Sequence, residues 1–451
     1  FERLWACAQD ARRYSSFESM TLLNVLVIGN GGREHAICWK LRQSPRLGSL
    51  YCAPGNAGTA LVAENLPLNP ADHSGIASFC GVRDIDLVVI GPEVPLADGL
   101  ADSLLANGRP VFGPTAAAAT IESSKIWTKE FARRHGIPTA EAIATSEYGE
   151  AMRAIERLGF PVVIKADGLA AGKGVAIVSD HASAEDVVRG YLLEGMLGEA
   201  GKSLLVEEYL EGRELSLLAF TDGERYAPMP PARDHKRIFD GDRGPNTGGM
   251  GAFAPVPDVD ARALADQFVG PAIRGLAAEG RPFKGVLYAG LMLTQRGPML
   301  IEYNCRFGDP ETQVILPLLE SDLLEICDSV AGGRLDPSSV SWRTETACGV
   351  VLASHGYPGP VRSGDVISGI DRVPADAVVF QAGTASDQAG KTITAGGRVL
   401  TVTGIGSDIH AARERAYGGA HAISFEGSQM RRDIGLPPDR NAPGTSSTST
   451  G

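Results

Sequence analysis

Glu302 and Asn304 stand two residues apart at the end of the apolar run Leu300–Asn304. Alternate residues of a strand project to one face, so both oxygens point the same way. Hard oxygen ligands of this kind suit Mg2+ bridging nucleotide phosphates. Arg306 keeps the same spacing and could hold a transferring phosphoryl group. A salt-bridged strand end is the competing reading. It fits the charges but not the density of polar groups from Asn304 to Gln313. Lys165 closes a second apolar run, Phe160–Lys165, and the small-residue segment 166–174 follows with Lys173 between Gly172 and Gly174. Such a loop can fold over a triphosphate, its N–H groups and lysines offsetting the charge. It is not G-x-x-x-x-G-K-[ST], because Lys173 is followed by Gly174. A surface hairpin is the alternative.

Four further segments carry polar chemistry. Gly29-Asn30-Gly31-Gly32-Arg33-Glu34 follows an apolar run and opens a helical pattern. Its glycines let the backbone approach a ligand, and the helix N-terminus offers free N–H groups to a phosphate. A dinucleotide site is disfavoured: Glu34 replaces the third glycine, and no acidic residue closes Tyr51-Cys52-Ala53. A phosphate or sugar-phosphate site fits better, with a tight structural turn as the alternative. Val206–Glu214 places Glu207, Glu208 and Glu214 just after a strand, where backbone groups can pair with an adenine edge and a carboxylate can grip ribose hydroxyls. Glu-rich strand ends are common, so this segment is weak alone. Asp234-His235-Lys236-Arg237 suits an anionic substrate. The segment Gly241–Gly251, with five glycines, reads as a functional loop without regular structure.

The elements that must position these groups alternate. The apolar runs Leu22–Ile28, Ser49–Ala53, Asp86–Ile90 and Pro110–Phe112 each end in a glycine or proline loop, with a helix predicted over Arg33–Gln43. Strand, loop and helix at this spacing predict βαβ units and a parallel sheet with ligands at the carboxyl ends of its strands. A second region contains strands Phe160–Lys165 and Leu204–Glu208, a helix Ala182–Glu194, and a hairpin of Tyr288–Leu293 with Pro298–Tyr303. The third contains strands near Ala347–Ala353, Ala377–Ala382 and Arg398–Gly404, then a helix from Ser407 to Ile423. Residues 1–19 show no element, and residues 437–451, rich in Pro, Gly, Ser and Thr, are expected to be disordered.

Composition narrows the classes. The chain of 451 residues is 43% hydrophobic and 21% charged, ordinary for globular domains. No apolar run is long enough for a membrane helix. Against 42 Lys and Arg stand 54 Asp and Glu, a formal charge of −12, which argues against a general nucleic-acid binder. Seven scattered cysteines without a CxxC pair suggest reduced, buried thiols in a reducing compartment. Glycine, 55 residues, is in excess and clusters in the loops above.

Arg306-Phe-Gly-Asp-Pro-Glu-Thr-Gln313 resembles the signature of the phosphoribosylamine–glycine ligase family, ATP-grasp enzymes of purine synthesis. The resemblance runs from Met20 to Gly435. It takes in Val27–His35, Ala53–Thr59, Gly91–Glu93, Lys165–Gly174, Asp234–Lys236, Gly244–Gly251 and Tyr288–Met292. It implies an α/β chain with an N-terminal parallel-sheet (pre-ATP-grasp) domain over 20–120, after an unstructured extension 1–19. A central ATP-grasp α+β domain over 121–333 would follow, with a mobile lid near 135–210. A small C-terminal α+β domain would cover 334–436, followed by a disordered tail. The implied reaction turns ATP, glycine and 5-phosphoribosylamine into glycinamide ribonucleotide, ADP and phosphate through glycyl phosphate. No covalent enzyme nucleophile is needed, in keeping with the lack of a Ser–His or Cys–His constellation. By resemblance, Lys125, Lys165, Gly172, Lys173 and Gly174 serve the phosphates, Glu207, Glu208, Tyr209 and Leu210 the adenine, and Glu214 the ribose. Glu302 and Asn304 would hold Mg2+ or Mn2+. Gly31, Gly32, Arg33, Glu34, Asn56, Gly58, Pro92, Glu93, Asp234, Lys236 and Arg306 would meet the substrate, with Arg306, Lys165 and Asp309 catalytic. A cytoplasmic monomer acting on small molecules, without nucleic-acid or membrane partners, is expected. Another ATP-grasp ligase, such as a carboxylase subunit, would lack the 29–35 and 306–313 blocks. A non-catalytic nucleotide-binding regulator would have lost Glu302 or Arg306.

Overall fold

The structure, a computed structural model, describes residues 21–169 and 174–436. The expectations for residues 1–19, Gly172, Lys173 and residues 437–451 lie outside the described residues. Strands β1 (Leu23–Gly29), β2 (Leu47–Pro54), β3 (Glu64–Asn65), β4 (Leu87–Ile90) and β5 (Val111–Phe112) form a parallel sheet in the order β3-β2-β1-β4-β5. Both faces are buried, which explains the unbroken apolar runs. Leu26, Ile28, Val88 and Ile90 enter one core with Ile76 and Leu96. Val25, Val27, Leu87 and Val89 enter another, shared with Ile37, Phe307 and Leu316. Helix α1 (Gly32–Leu41) follows β1 and is buried except at Trp39.

Two antiparallel sheets come next. One joins β6 (Ala142–Thr145), β7 (Val162–Ala166), β8 (Val175–Val178) and β9 (Leu204–Glu208) in the order β6-β9-β7-β8. The other joins β10 (Arg213–Thr221) and β11 (Tyr226–Pro228) to the predicted hairpin, which spans Gly285–Thr294 and Gly297–Asn304. A third antiparallel sheet contains Thr346–Ala353, Arg398–Gly406 and Ala377–Gln381, as the sequence suggests, together with Arg233–Asp234 and Gly251–Ala254 from the middle of the chain. The glycine-rich stretch corrects one expectation: Arg237–Phe239 and Arg243–Asn246 pair as a short antiparallel ribbon. The reversal rests on Gly241 at φ +69° and Asp242 at φ +52°, which permit a tight return.

The edge strand Ala377–Gln381 packs on α1, and two side chains of the first domain finish its hydrogen bonding. His35 Nδ1 accepts the Gln381 N–H at 2.8 Å, and Asn56 Nδ2 donates to the Gln381 carbonyl at 2.9 Å. Burial holds His35 down at a pKa of about 4, so it stays neutral. Gly58 lies flat under this clamp. A Cβ there would collide with the His35 ring and come within 2.7 Å of Gln381 Cβ. Gly58→Ala is expected to destabilise the fold by about 1–3 kcal/mol, the usual cost of overpacking. Chemical denaturation checks this, and an unchanged midpoint would contradict the clamp.

Candidate functional site

The sheets meet around a cavity of about 940 Å3. Its lining includes Arg33, Glu93, Lys125, Lys165, Gly174, Glu207, Glu208, Tyr209, Leu210, Glu214, Asp234, Lys236, Glu302, Asn304, Arg306 and Asp309. Residues far apart in the chain thus come together, because strand ends of four sheets point at one space.

One wall is built from β7, β9 and the helix Lys125–Arg134. Lys165 Nζ pairs with Glu207 Oε2 at 2.8 Å and donates to the Ile301 carbonyl at 3.2 Å. Lys129 Nζ lies 3.0 Å from the other oxygen, Glu207 Oε1, and donates to Thr139 at 2.7 Å. Burial pushes the Glu207 carboxyl up, but Lys165 and Lys129 pull it down by more, leaving it below its usual range. The Glu207 carboxylate is therefore engaged by two lysines of the protein. Lys125 donates to the Gly168 carbonyl at 2.7 Å. Burial lowers the pKa of both Lys125 and Lys129. Glu208 accepts the Glu141 N–H and pairs with Arg296 at 3.0 Å. Beside them Tyr209 is 42% exposed and Leu210 is buried, and both line the cavity.

The second wall centres on Arg306. Its Nε pairs with Glu93 at 3.0 Å, and Nη2 with Glu122 at 2.9 Å and Asn304 Oδ1 at 3.2 Å. Burial lowers the Arg306 pKa, but Glu122 and Glu93 raise it further, so it is held charged. Glu122 also accepts the Cys305 N–H at 2.7 Å. Glu302 accepts no hydrogen bond and makes no ion pair among the described residues. Burial pushes it up, and Lys236, Lys165, Lys125 and Arg306 pull it down by more. A free carboxylate beside an amide oxygen is a hard donor set that fits Mg2+, an ion that keeps several waters and shares phosphates. No cluster of three His, Cys, Asp or Glu suited to a metal exists among the described residues. Asp309 lines the cavity, yet its Oδ1 accepts from Gln313 at 2.7 Å and its Oδ2 pairs with Arg398 at 3.3 Å. That places it as a brace.

Six expected substrate contacts do not line this cavity: Gly31, Gly32, Glu34, Asn56, Gly58 and Pro92. At the start of α1 the Glu34 carboxylate is engaged by the protein itself. Its Oε2 accepts the Gly31 N–H at 2.6 Å and its Oε1 accepts from Arg33 Nε at 2.6 Å. The helix N-terminus is therefore already neutralised by its own carboxylate. Asn56 is likewise taken up inside the protein, bridging the Asn30 carbonyl at 2.9 Å to Gln381 while its Oδ1 accepts from Gly58 and Thr59. Gly32 packs against Gln313. Pro92 lines a smaller pocket of about 300 Å3 with Gly29, Asn30 and Asn69, at the carboxyl ends of β1 and β4.

The sequence reading missed Glu122, Lys129 and Glu311. Lys129 carried a signal, since it lies one helical turn after Lys125 and shares its face. Glu122 carried none, because its partner Arg306 is remote in sequence. The six described cysteines, Cys38, Cys52, Cys80, Cys305, Cys327 and Cys348, are free and buried. No helix among the described residues is long and apolar enough to cross a membrane.

Three family models match the chain, those of the phosphoribosylglycinamide synthetase N domain over 23–122, ATP-grasp (A) domain over 123–312 and C domain over 347–437. The chain is 50% identical over 419 residues to the trifunctional purine biosynthetic protein adenosine-3 of Gallus gallus, covering 91% of this chain and 42% of that protein. It is 47% identical over 421 residues to a phosphoribosylamine–glycine ligase of Yersinia pestis, covering 92% and 98%. A solved phosphoribosylamine–glycine ligase of Thermotoga maritima superposes with a TM-score of 0.79 at 34% identity, covering 91% of this chain and 100% of that one. A biotin carboxylase of Campylobacter jejuni, at 13% identity and a TM-score of 0.70, shares the fold.

Glu207→Gln is expected to cost about 3–5 kcal/mol, because two desolvated lysines lose their counter-charge. The wild-type advantage is full above the ordinary carboxylate pKa and disappears as pH falls through the depressed folded value. Urea titrations of both proteins across that window check it; parallel profiles would contradict it.

Proposed function

We propose that this chain, which belongs to the phosphoribosylglycinamide synthetase family, joins glycine to 5-phosphoribosylamine with ATP, forming glycinamide ribonucleotide, ADP and phosphate in purine synthesis. The observation that carries this reading is one cavity in which phosphate-binding cations and the free Glu302 carboxylate face each other. Its neighbours divide the work. Tyr209 and Leu210 offer the adenine its apolar contact, and the backbone after β9 its polar edge. Glu214 is the carboxylate for the ribose. Lys125 and Lys165 take the phosphate charge, with Glu207 fixing Lys165. Gly172, Lys173 and Gly174 would serve the same phosphates. Glu302 and Asn304 would hold Mg2+ or Mn2+, which when bound offsets charge on the phosphates.

In the first step a glycine carboxylate oxygen attacks the γ-phosphorus, the β–γ bond breaks and ADP leaves. Arg306 steadies the transferring group; its N–H groups already face the cavity and exchange Glu93 or Asn304 for phosphoryl oxygen. In the second step the ribosylamine nitrogen attacks the acyl carbon, loses a proton, and phosphate departs. No protein nucleophile takes part, so catalysis is positioning plus charge stabilisation. Arg33, Glu93, Asp234 and Lys236 border the ribosylamine and glycine. Gly31, Gly32, Glu34 and Asn56 act one layer back, shaping the loop above them, and Pro92 borders the smaller pocket beside it. The buried free thiols support a cytoplasmic setting.

Glu302→Gln removes one anionic ligand while keeping shape. It is expected to lower kcat by on the order of a hundredfold without a change in thermal midpoint. A coupled ADP-release assay with glycine, with and without phosphoribosylamine, checks both the reaction and this loss. Near-normal turnover at saturating Mg2+ would sink the assignment of Glu302.

A further inference from the structure

Three successive carbonyls around Lys236 are each held by a different part of the chain. His235 extends the pairing of Arg233–Asp234 with Gly251–Ala254: its N–H donates to the Gly251 carbonyl at 2.9 Å, and its carbonyl accepts from Met250 at 2.8 Å. The Lys236 carbonyl accepts from the Thr247 N–H at 2.7 Å and from Thr247 Oγ1 at 2.8 Å. The Arg237 carbonyl accepts from Arg431 Nη1 at 3.0 Å. The first two holds come from close in the sequence. The third comes from 194 positions away, beyond the last helix, Ile409–Ala422.

Arg431 is 1% exposed, and all three of its side-chain nitrogens are used. Nε and Nη2 fork onto the two Asp433 oxygens, each at 2.8 Å, and Nη1 also reaches Asp242 at 2.7 Å. Asp433 in turn accepts the Gly241 N–H at 2.8 Å, and Asp240 accepts the Arg432 N–H at 2.7 Å. The segment 431–433 therefore grips the Arg237–Asn246 ribbon twice, at its tip over 240–242 and at its base at Arg237. Burial lowers the Arg431 pKa, but Asp433 and Asp242 raise it by more, so the fork stays charged. Bidentate charged contacts fix direction as well as distance.

The base of the ribbon carries cavity residues. Lys236 leads into it, Asn246, Thr247 and Gly248 lead out, and all four line the large cavity, whereas Arg431 does not. Alternate residues of an extended chain face opposite ways, so Asp234 and Lys236 enter the cavity while His235 turns to the rear and is buried. Lys236 then reaches Glu214 at 2.7 Å. We infer that Arg431 is a positioning residue for the ligation: by holding the Arg237 carbonyl and the ribbon tip, it sets where the Lys236 ammonium stands in the cavity. It touches no substrate itself. The inference rests on the reaction proposed above.

The test compares wild type with Arg431→Met, Arg431→Lys, Lys236→Met and the double variant Arg431→Lys/Lys236→Met. Steady-state ADP release against each substrate and thermal midpoints are measured on the same samples. Arg431→Lys keeps the charge, but one ammonium lacks the planar fork needed to span Asp433 and the Arg237 carbonyl together. It is expected to recover most of the midpoint lost in Arg431→Met. Its kcat/KM for glycine and phosphoribosylamine should nevertheless stay about tenfold or more below wild type, the scale on which misplaced groups act. KM for ATP should move less, because Lys125, Lys165 and Tyr209 stand on another wall. In the Lys236→Met background, Arg431→Lys should cost little more, since its effect runs through Lys236. Kinetics of Arg431→Lys that return in step with its midpoint would overturn the inference and leave Arg431 a structural ion pair. So would a double variant in which the two losses multiply in full. A wild-type protein without glycine-dependent ADP release would instead overturn the reaction on which the inference rests.

Discussion

A buried charge must find a partner, and that requirement organises this molecule. Arg306 is the clearest case. Its guanidinium is fixed by Glu93 from the first domain, Glu122 from the helix Ala116–Ser123 and Asn304 from the central sheet. Leaving any of these ions alone in a poorly solvated space costs several kcal/mol. Three elements are thereby held at one point. Lys165, Glu207 and Lys129 repeat the arrangement on the opposite wall. The cavity between them is assembled before any substrate enters, because the charges that would bind phosphate also hold the walls in place.

This arrangement has a consequence for binding. Lys165, Lys129 and Arg306 are each already partly neutralised by a carboxylate of the protein, so a phosphate that meets them exchanges partners and does not simply add one. Reorganisation is small, which is how a site of fixed dipoles and charges favours a transferring group. Glu302 stands out because the surrounding cations hold it ionised while no described group binds it.

The glycine loop after β1 shows how one motif can serve two masters. Its sequence is suited to an anion, yet Glu34 fills the helix N-terminus from within, and Asn56 ties the loop carbonyl of Asn30 to the edge strand of the third sheet. The loop is thus fixed between two domains, and its outer side at Gly29 and Asn30 borders the smaller pocket. A rigid loop there gives the large cavity a firm edge through Arg33 and Glu93.

Periodicity and punctuation settled much from the sequence. The parallel sheet, the hairpin of Tyr288–Leu293 with Pro298–Tyr303 and the longer strands of the third sheet were legible because unbroken apolar runs and glycine turns are local signals. Glu302 and Asn304 were legible as a pair because their spacing on one strand fixes a common face, whereas Arg306 lies two residues beyond the end of that strand. The helices Lys125–Arg134 and Tyr148–Leu158 and the strand Arg213–Thr221 were not placed, since polar residues around them masked the pattern. Pairings between distant residues were decided only by the tertiary structure. Glu122 has no sequence signal toward Arg306, Glu207 reads as a free carboxylate until two lysines surround it, and Asn56 reads as a ligand until Gln381 reaches it. Sequence spacing determines which way a side chain points along its own element. What that side chain then meets is set by the packing of elements far apart in the chain, where desolvation makes every buried charge choose a partner.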